Sequence, residues 1–504
     1  MDETGCKQTP LSRFERVVFG RRVWANYASL IVHLLALWVL AAWTATPDPR
    51  KRLVAIELTF TDPDDQQAGG GARVATGADR FREAHLPDQP RLIDSLSLAV
   101  AETAPFLDVS PPVVNAQPRP DAAVAMAAAV AATAVTSSPQ SAAAAGDAAA
   151  DGAAARLAYA SRQGSARGRG VDRNGGSEAS EAAVERGLAW LARHQAVDGS
   201  WRFDLSGCQC DGGCSFPGTV TSTTAATGIA LLPFLGAGST HEQGTYRETV
   251  TRGLYYLMSR MQLSARGGDL GEGTMYGHGV ASLALAEALG MTGDRMLQPY
   301  VRDAVRFIET AQDLHGGGWR YLPGQAGDTT VTAWQLAALK SGSLAGIPVP
   351  SPTIDGVCRF LDRVQVRNGE GYGYLSPQDR PCTSAVGLLC RVYTTWPDQA
   401  TLDRGLGRLA KPGPGSEDVY QNFYLSQALL LRDHPAWKRW NTRNRDQLVG
   451  RQARLGHEAG SWAFADSDTR PGGRLGHTAL AVLTLEVYYR LLPIYGVAAA
   501  ETGW

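Results

Sequence analysis

At 504 residues, with 44% hydrophobic and 19% charged side chains, the chain is long enough for more than one domain and ordinary enough in composition for a packed core. Its formal net charge of -1 removes any electrostatic case for nucleic-acid binding, and neither a basic stripe nor a helix-turn-helix signature appears.

Residues 1–23 are polar and carry Lys7, Arg13, Arg16, Arg21 and Arg22. A continuous apolar run from Tyr27 to Thr46 follows, long enough to span a bilayer. Trp24, Tyr27, Trp38 and Trp43 supply interfacial anchors and Pro47 ends the run, so a transmembrane helix is expected at 24–46. A cleaved signal peptide is the competing reading. Against it stand the long polar N-region, the length of the run and the lack of a small-x-small cleavage site. The basic excess before the span, over Arg50, Lys51 and Arg52 after it, predicts a single-pass inner-membrane protein with its bulk outside the cytoplasm.

Residues 47–177 turn to Ala, Pro, Gly, Asp and Ser, a composition that cannot bury enough apolar surface to offset chain entropy. A disordered tether is expected there. Ala122 to Ala134 could form a transient helix, and Leu53 to Phe60 alternates like a strand but reads as juxtamembrane coil.

From 178 to 496 a phrase recurs. It runs Arg186, Gly187, Trp190, Leu191, Gln195, Gly199, Trp201, and returns as Asp303, Ala304, Phe307, Ile308, Gln312, Gly317, Trp319. A third copy, Gly356, Phe360, Leu361 and Gln365, leads into Gly371, Gly373 and Tyr374. Arg252, Gly253, Tyr256, Leu257 and Gln262 lack the terminal aromatic, and a last copy keeps Gln452, Gly460, Ser461 and Trp462. Such recurrence predicts one supersecondary unit per copy. Apolar residues three and four apart, as in Val184, Leu188 and Leu191, make the first element of each unit an amphipathic helix. A Gly-rich turn follows, then a helix apolar nearly all round: Thr223 to Leu235, Gly279 to Leu289, Thr332 to Leu339, Ser384 to Tyr393, Ala479 to Tyr489. Helices apolar on every side are enclosed by others. The expected fold is therefore all-α, a double ring with amphipathic helices outside and apolar ones inside, closed by a short tail at 497–504.

Three of the seven cysteines cluster as Cys208, Cys210 and Cys214, in the turn after the first Gly-x-Trp. A Cys210 to Cys214 disulfide, unpaired thiols and a zinc site completed by Asp204, Asp211 or a distant histidine all fit that spacing. Cys358, Cys382 and Cys390 sit in apolar contexts and read as buried packing residues.

The repeated phrase resembles the QW repeat of squalene and oxidosqualene cyclases and of protein prenyltransferase beta subunits, which share an α/α toroid. The resemblance implies a single toroid of about six helical hairpins over 178–496. Met275-Tyr276-Gly277-His278-Gly279 and Leu480 to Tyr489 look like bacterial members of uncharacterised function. Squalene-hopene cyclases protonate an alkene through a DxDDTA motif, and Asp328-Thr329-Thr330-Val331-Thr332-Ala333-Trp334 is the matching stretch. Here Thr330 and Val331 stand where the resemblance places the second and third carboxylates. Prenyltransferases hold zinc through DxC and a distant histidine; Asp418-Val419-Tyr420 and Gly476-His477-Thr478 are similar, with Tyr420 in the cysteine's place. These substitutions leave Asp328, Asp418 and His477 as catalytic candidates, and zinc as a candidate cofactor.

The resemblance further predicts a cavity lined by Tyr276, His278, Trp334, Tyr420 and Tyr424 for an isoprenoid, lipid or other apolar ligand. Each of these aromatics has a plain packing role as its alternative, and each histidine a capping role. Two further readings stand beside it. One is a glycosidase using a pair among Glu272, Asp328, Glu417 and Asp418; the other is a non-catalytic scaffold that binds a protein partner.

Overall fold

The structure, a computed structural model, describes residues 159–208 and 212–491. The expected membrane span at 24–46, the segment Leu53–Phe60, most of the expected tether, Cys210 and the C-terminal tail lie outside the described residues. Among the described residues no helix is long and apolar enough to cross a membrane.

A short arm comes first, a 3-10 turn at Ala160–Arg162 and helix α1 (Gly164–Asn174). Twelve helices then alternate between two layers. The outer ones are α2 (Glu178–Arg193), α4 (Arg247–Arg260), α6 (Gln298–Thr310), α8 (Ser351–Val364), α10 (Gln399–Ala410) and α12 (Trp437–Arg451). The inner ones are α3 (Thr223–Gly236), α5 (Met275–Thr292), α7 (Thr329–Leu344), α9 (Pro381–Tyr393), α11 (Val419–Leu431) and α13 (Gly473–Leu485), with a last short turn, α14 (Val487–Arg490). Each inner helix packs on the next, and α13 packs back on α3. That closure makes the fold an α/α toroid of six hairpins, as expected.

The layers follow from sequence pattern. Helix α6 buries Val301, Ala304, Val305, Phe307 and Ile308 on one stripe, whereas α5 is buried from Met275 through Met291 on all sides. The recurring phrase is the clamp between layers. Gln312 Nε2 donates to Gly317 O in its own turn (2.8 Å) and to Thr353 O of the next outer helix, α8 (2.8 Å). Gln195 does the same to Gly199 O and to Thr249 O of α4. Gln452 closes the ring, reaching Gly460 O and Ala183 O of α2. The tryptophans finish each clamp. The indoles of Trp201, Trp319 and Trp462 donate to Leu191 O, Ile308 O and Leu448 O of their own outer helices. Their backbone N–H groups donate to Thr227, Thr332 and Thr478 on the inner helices.

Glycine is required at one point of this clamp. Gly317 has φ +82°, and a Cβ there would lie 2.0 Å from Gly356 O of α8.

Two copies depart from the pattern. The turns after Gln262 and Gln365 form short antiparallel ladders, β1 (Gln262–Ser264) with β2 (Gly267–Asp269) and β3 (Gln365–Val366) with β4 (Gly371–Tyr372). In the second of these the tryptophan's place is taken by Tyr372, whose N–H donates to Ser384 Oγ (2.9 Å), and not by Tyr374. The spacing from Gly371 misled because the ladder shortens the turn. The fifth hairpin, α10 with α11, has neither a Gln after its outer helix nor a Gly-x-Trp in its turn, so no phrase marks it.

The expected tether is corrected at its C-terminal end, where residues 159–174 belong to the folded ring. Arg162 is fully buried at the end where inner helices finish. It pairs with Glu287 (2.7 Å) and donates to Leu235 O and Arg490 O, while Arg490 pairs with the other oxygen of Glu287 (2.6 Å). Asn174 Nδ2 donates to Tyr488 O (2.7 Å). The arm buries little apolar surface, Tyr159 and Val171 being its buried hydrophobic residues. A composition argument therefore could not see it.

Candidate functional site

Because the outer helices all run in one direction, the N-termini of the inner helices gather at one end of the ring, and a cavity opens there. Its walls include Phe203, Ala225, Ile229, Tyr276, Trp334 and Tyr420, and its volume is ≈ 40 Å³. Four of the predicted cavity residues do meet. Trp334 Nε1 donates to Tyr420 Oη (3.2 Å), which lies 3.2 Å from Tyr424 Oη and 3.5 Å from Tyr276 Oη. Trp334 also stacks on Phe423, with ring centroids 6.3 Å apart. Burial pushes all three phenols up, so they remain neutral hydrogen-bonding groups at any physiological pH. Drug-sized ligands occupy pockets of about 300–1,000 Å³. The side chains therefore fill the centre nearly to its packing limit, and a prenyl chain enters only if they move.

The remaining predicted residues are engaged elsewhere. His278 is wholly buried behind α5: its Nδ1 accepts from Leu270 N–H (3.1 Å) and its Nε2 lies 3.2 Å from Ala304 O of α6. It fastens a turn and does not line the cavity. His477 plays the equivalent part on α13, with Nδ1 accepting from Phe464 N–H (3.1 Å) and Nε2 2.9 Å from Thr469 Oγ1. Burial lowers both imidazoles to about 4, so both are neutral near pH 7.

Asp328 is buried and caps α7. Its Oδ1 accepts from the N–H groups of Thr330 (2.9 Å) and Val331 (2.8 Å) and from Thr330 Oγ1 (2.7 Å), while Oδ2 has no hydrogen-bond partner. Burial raises it to about 6 against those hydrogen bonds. The one aspartate retained from the acid motif is thus a helix cap, and buried Thr330 and Val331 stand where carboxylates would be needed.

Asp418 is exposed and makes no cap. Tyr420 N–H is instead held by Asp466 Oδ2 (3.3 Å), a buried carboxyl that burial raises to about 6. Among the described residues, neither Asp418 nor His477 belongs to a group of three His, Cys, Asp or Glu side chains close enough to hold a metal. The expectation of a prenyltransferase-like zinc position is therefore corrected, since His477 turns both nitrogens to its own turn. The glycosidase carboxylates are likewise spent separately: Glu272 accepts from Thr223 N–H (2.6 Å) and pairs with Arg260, and Glu417 pairs with Arg451 (2.6 Å).

Metal-ligand geometry appears at a place the sequence reading half reached. Among the described residues, His194, Cys214 and His457 bring three ligand atoms within 4.8 Å of one another. Cys214 Sγ lies 3.3 Å from His194 Nε2 and 3.4 Å from His457 Nδ1. Cys208 points elsewhere, its Sγ 2.9 Å from Leu205 O. The two histidines were missed although a signal existed. His194 adjoins the first repeat's Gln195 and His457 follows the last repeat's Gln452; in a closed ring, the first and last turns are neighbours.

No family model matches the chain, and no curated protein matches its sequence. Solved structures overlap it only loosely. An inactive variant of an alpha-1,6-mannanase from a Salegentibacter species, in complex with alpha-1,6-mannotriose, aligns over 62% of this chain and 99% of its own, at TM-score 0.43 and 11% identity. A type II terpene cyclase from Scytonema, in complex with geranylgeranyl dihydroxybenzoate, aligns over 63% and 98%, at 0.42 and 13%. A protein from Actinoplanes aligns over 61% and 98%, at 0.37 and 18%. At this level of similarity, activity must be argued from the residues.

Proposed function

We propose that this protein is a membrane-tethered, cyclase-like toroid that acts by binding, and not by cyclising or transferring an isoprenoid. The observation that carries the reading is the use already made of the candidate catalytic groups. Asp328 caps a helix, His477 holds a turn, Asp418 faces solvent, and aromatic side chains close the centre down to ≈ 40 Å³.

What the ring offers instead is a rim. All Gln turns share one end, and three of them place an aliphatic side chain just past the glutamine and fully in solvent: Val197, Leu314 and Leu455, each 86% exposed. Apolar residues repeated around one rim suit a protein or lipid partner. The apolar run at 24–46 and the polar stretch after it support an arrangement in which this rim is presented on a tether outside the cytoplasmic membrane.

The test uses the full chain. Incubated with squalene, or with a prenyl diphosphate and a cysteine peptide, it should give no product; turnover that disappears in Asp328→Asn would overturn the reading. Val197→Ser with Leu314→Ser should leave stability within about 0.5 kcal/mol, yet abolish the crosslink formed in membranes by a photoreactive side chain at position 455.

A second reading, an apolar ligand in the centre, rests on the hydroxyl cluster of Tyr276, Tyr420 and Tyr424 under apolar walls. It expects a co-purifying lipid in native mass spectra, depleted in Tyr420→Phe.

A further inference from the structure

The loop carrying Cys214 joins the first outer helix to the first inner one, and His457 lies in the turn after the last outer helix. These two loops meet where the ring closes, and they are already sewn together there. Glu458 Oε1 accepts from Ser215 N–H (2.7 Å) and Ser215 Oγ (2.6 Å). Arg474 donates to Ser215 O (2.8 Å) and pairs with Glu458 (2.9 Å), and its own N–H donates to Phe216 O (2.8 Å).

We propose that His194, Cys214 and His457 bind a zinc ion that staples the first and last hairpins of the toroid. Three features carry this. First, the donor set is right: two imidazole nitrogens and a thiolate suit zinc. Second, the spacing is right. A tetrahedral ion with Zn–S of about 2.3 Å and Zn–N of about 2.0 Å sets its S···N edges near ~3.5 Å, against 3.3 and 3.4 Å here.

Third, one ligand is pre-oriented as metal histidines are. His194 Nδ1 lies 2.7 Å from Trp190 O, so that nitrogen carries the proton and Nε2 turns its lone pair to the sulfur. The ring is locked in that pose by stacking on Trp190, centroids 3.9 Å apart. On binding, the Cys214 thiol releases its proton to solvent and the sulfur lone pair goes to the ion. The fourth tetrahedral position is left to water or a further donor.

The test is metal analysis of the full chain purified in detergent, followed by replacement with cobalt(II), whose thiolate charge-transfer band reports the sulfur ligand. One zinc per chain is expected. His457 is exposed, so His457→Ala does not challenge the fold; it should weaken zinc by more than about 100-fold, the upper end of what losing even an outer-shell partner costs. Cys214→Ser should abolish the charge-transfer band, and Cys382→Ser should leave both readouts unchanged. Chelation should raise hydrogen exchange in the segments around Cys214 and His457 together. A metal-free protein, zinc retained at full affinity in His457→Ala, or Cys214 found in a disulfide would each overturn the proposal.

Discussion

The two ends of the ring are held by different physics. At the end where the outer helices finish, the same hydrogen bonds recur from hairpin to hairpin: glutamine amides to two carbonyls, indoles to a third, inner-helix threonines to the backbone. Among the described residues the opposite end shows no such repetition. One arginine from the N-terminal arm enters among the inner helices' C-termini, whose carbonyls carry partial negative charge, and meets a buried glutamate already paired with Arg490. The difference teaches where the ring is tolerant. A contact made several times over can be lost once; a contact made once cannot.

The sharpest way to break this comparison is Arg162→Met. It leaves Glu287 buried with a single partner, and loss of one member of a buried ionic group costs about 3–5 kcal/mol. Thermal unfolding followed by near-ultraviolet circular dichroism should show that loss, and adding Glu287→Gln should deepen it, because Arg490 then loses its buried carboxylate.

The next effect is smaller and depends on pH. Asp328 has its folded-state pKa raised from 3.8 to about 6, chiefly by burial, so the folded protein holds this proton more tightly than the unfolded one. Its contribution is complete below about pH 4 and is lost as pH rises through about 6, a change of up to ~3 kcal/mol. Asp328→Asn should remove that slope. His278 and His477, lowered to about 4 by burial, act in the opposite sense and cost stability as pH falls from 6.5 toward 4. The quantity to measure is therefore the difference between variant and parent stability across pH 4–7.

The smallest of the three sharpens the claim of redundancy. Gln312→Ala strips the amide donor from Gly317 O and Thr353 O and should cost about 1–3 kcal/mol in chemical denaturation. If it costs as much as Arg162→Met, the contrast between the ends fails.

Legibility followed the same division. Glutamine, glycine and tryptophan at recurring offsets announced both the toroid and the clamp, because each copy repeats one local geometry. Tyr276, Trp334, Tyr420 and Tyr424 were likewise legible as a set, since all sit near the N-terminal ends of inner helices. The roles of Asp328, His278 and His477 were not. A carboxylate or an imidazole has the same letter whether it faces a ligand or ties a turn, and only the position of neighbouring N–H groups decides which.

The sequence by itself determined the alternation of outer and inner helices in five of the six hairpins and the turns that join them, because periodicity and turn chemistry are properties of neighbouring residues. The tertiary structure alone decided that the arm at 159–174 belongs to the ring, that the centre is filled, and that His194, Cys214 and His457 converge. Each of those depends on closure, which brings together residues up to 328 positions apart, as Arg162 and Arg490 are. No local pattern records such a meeting.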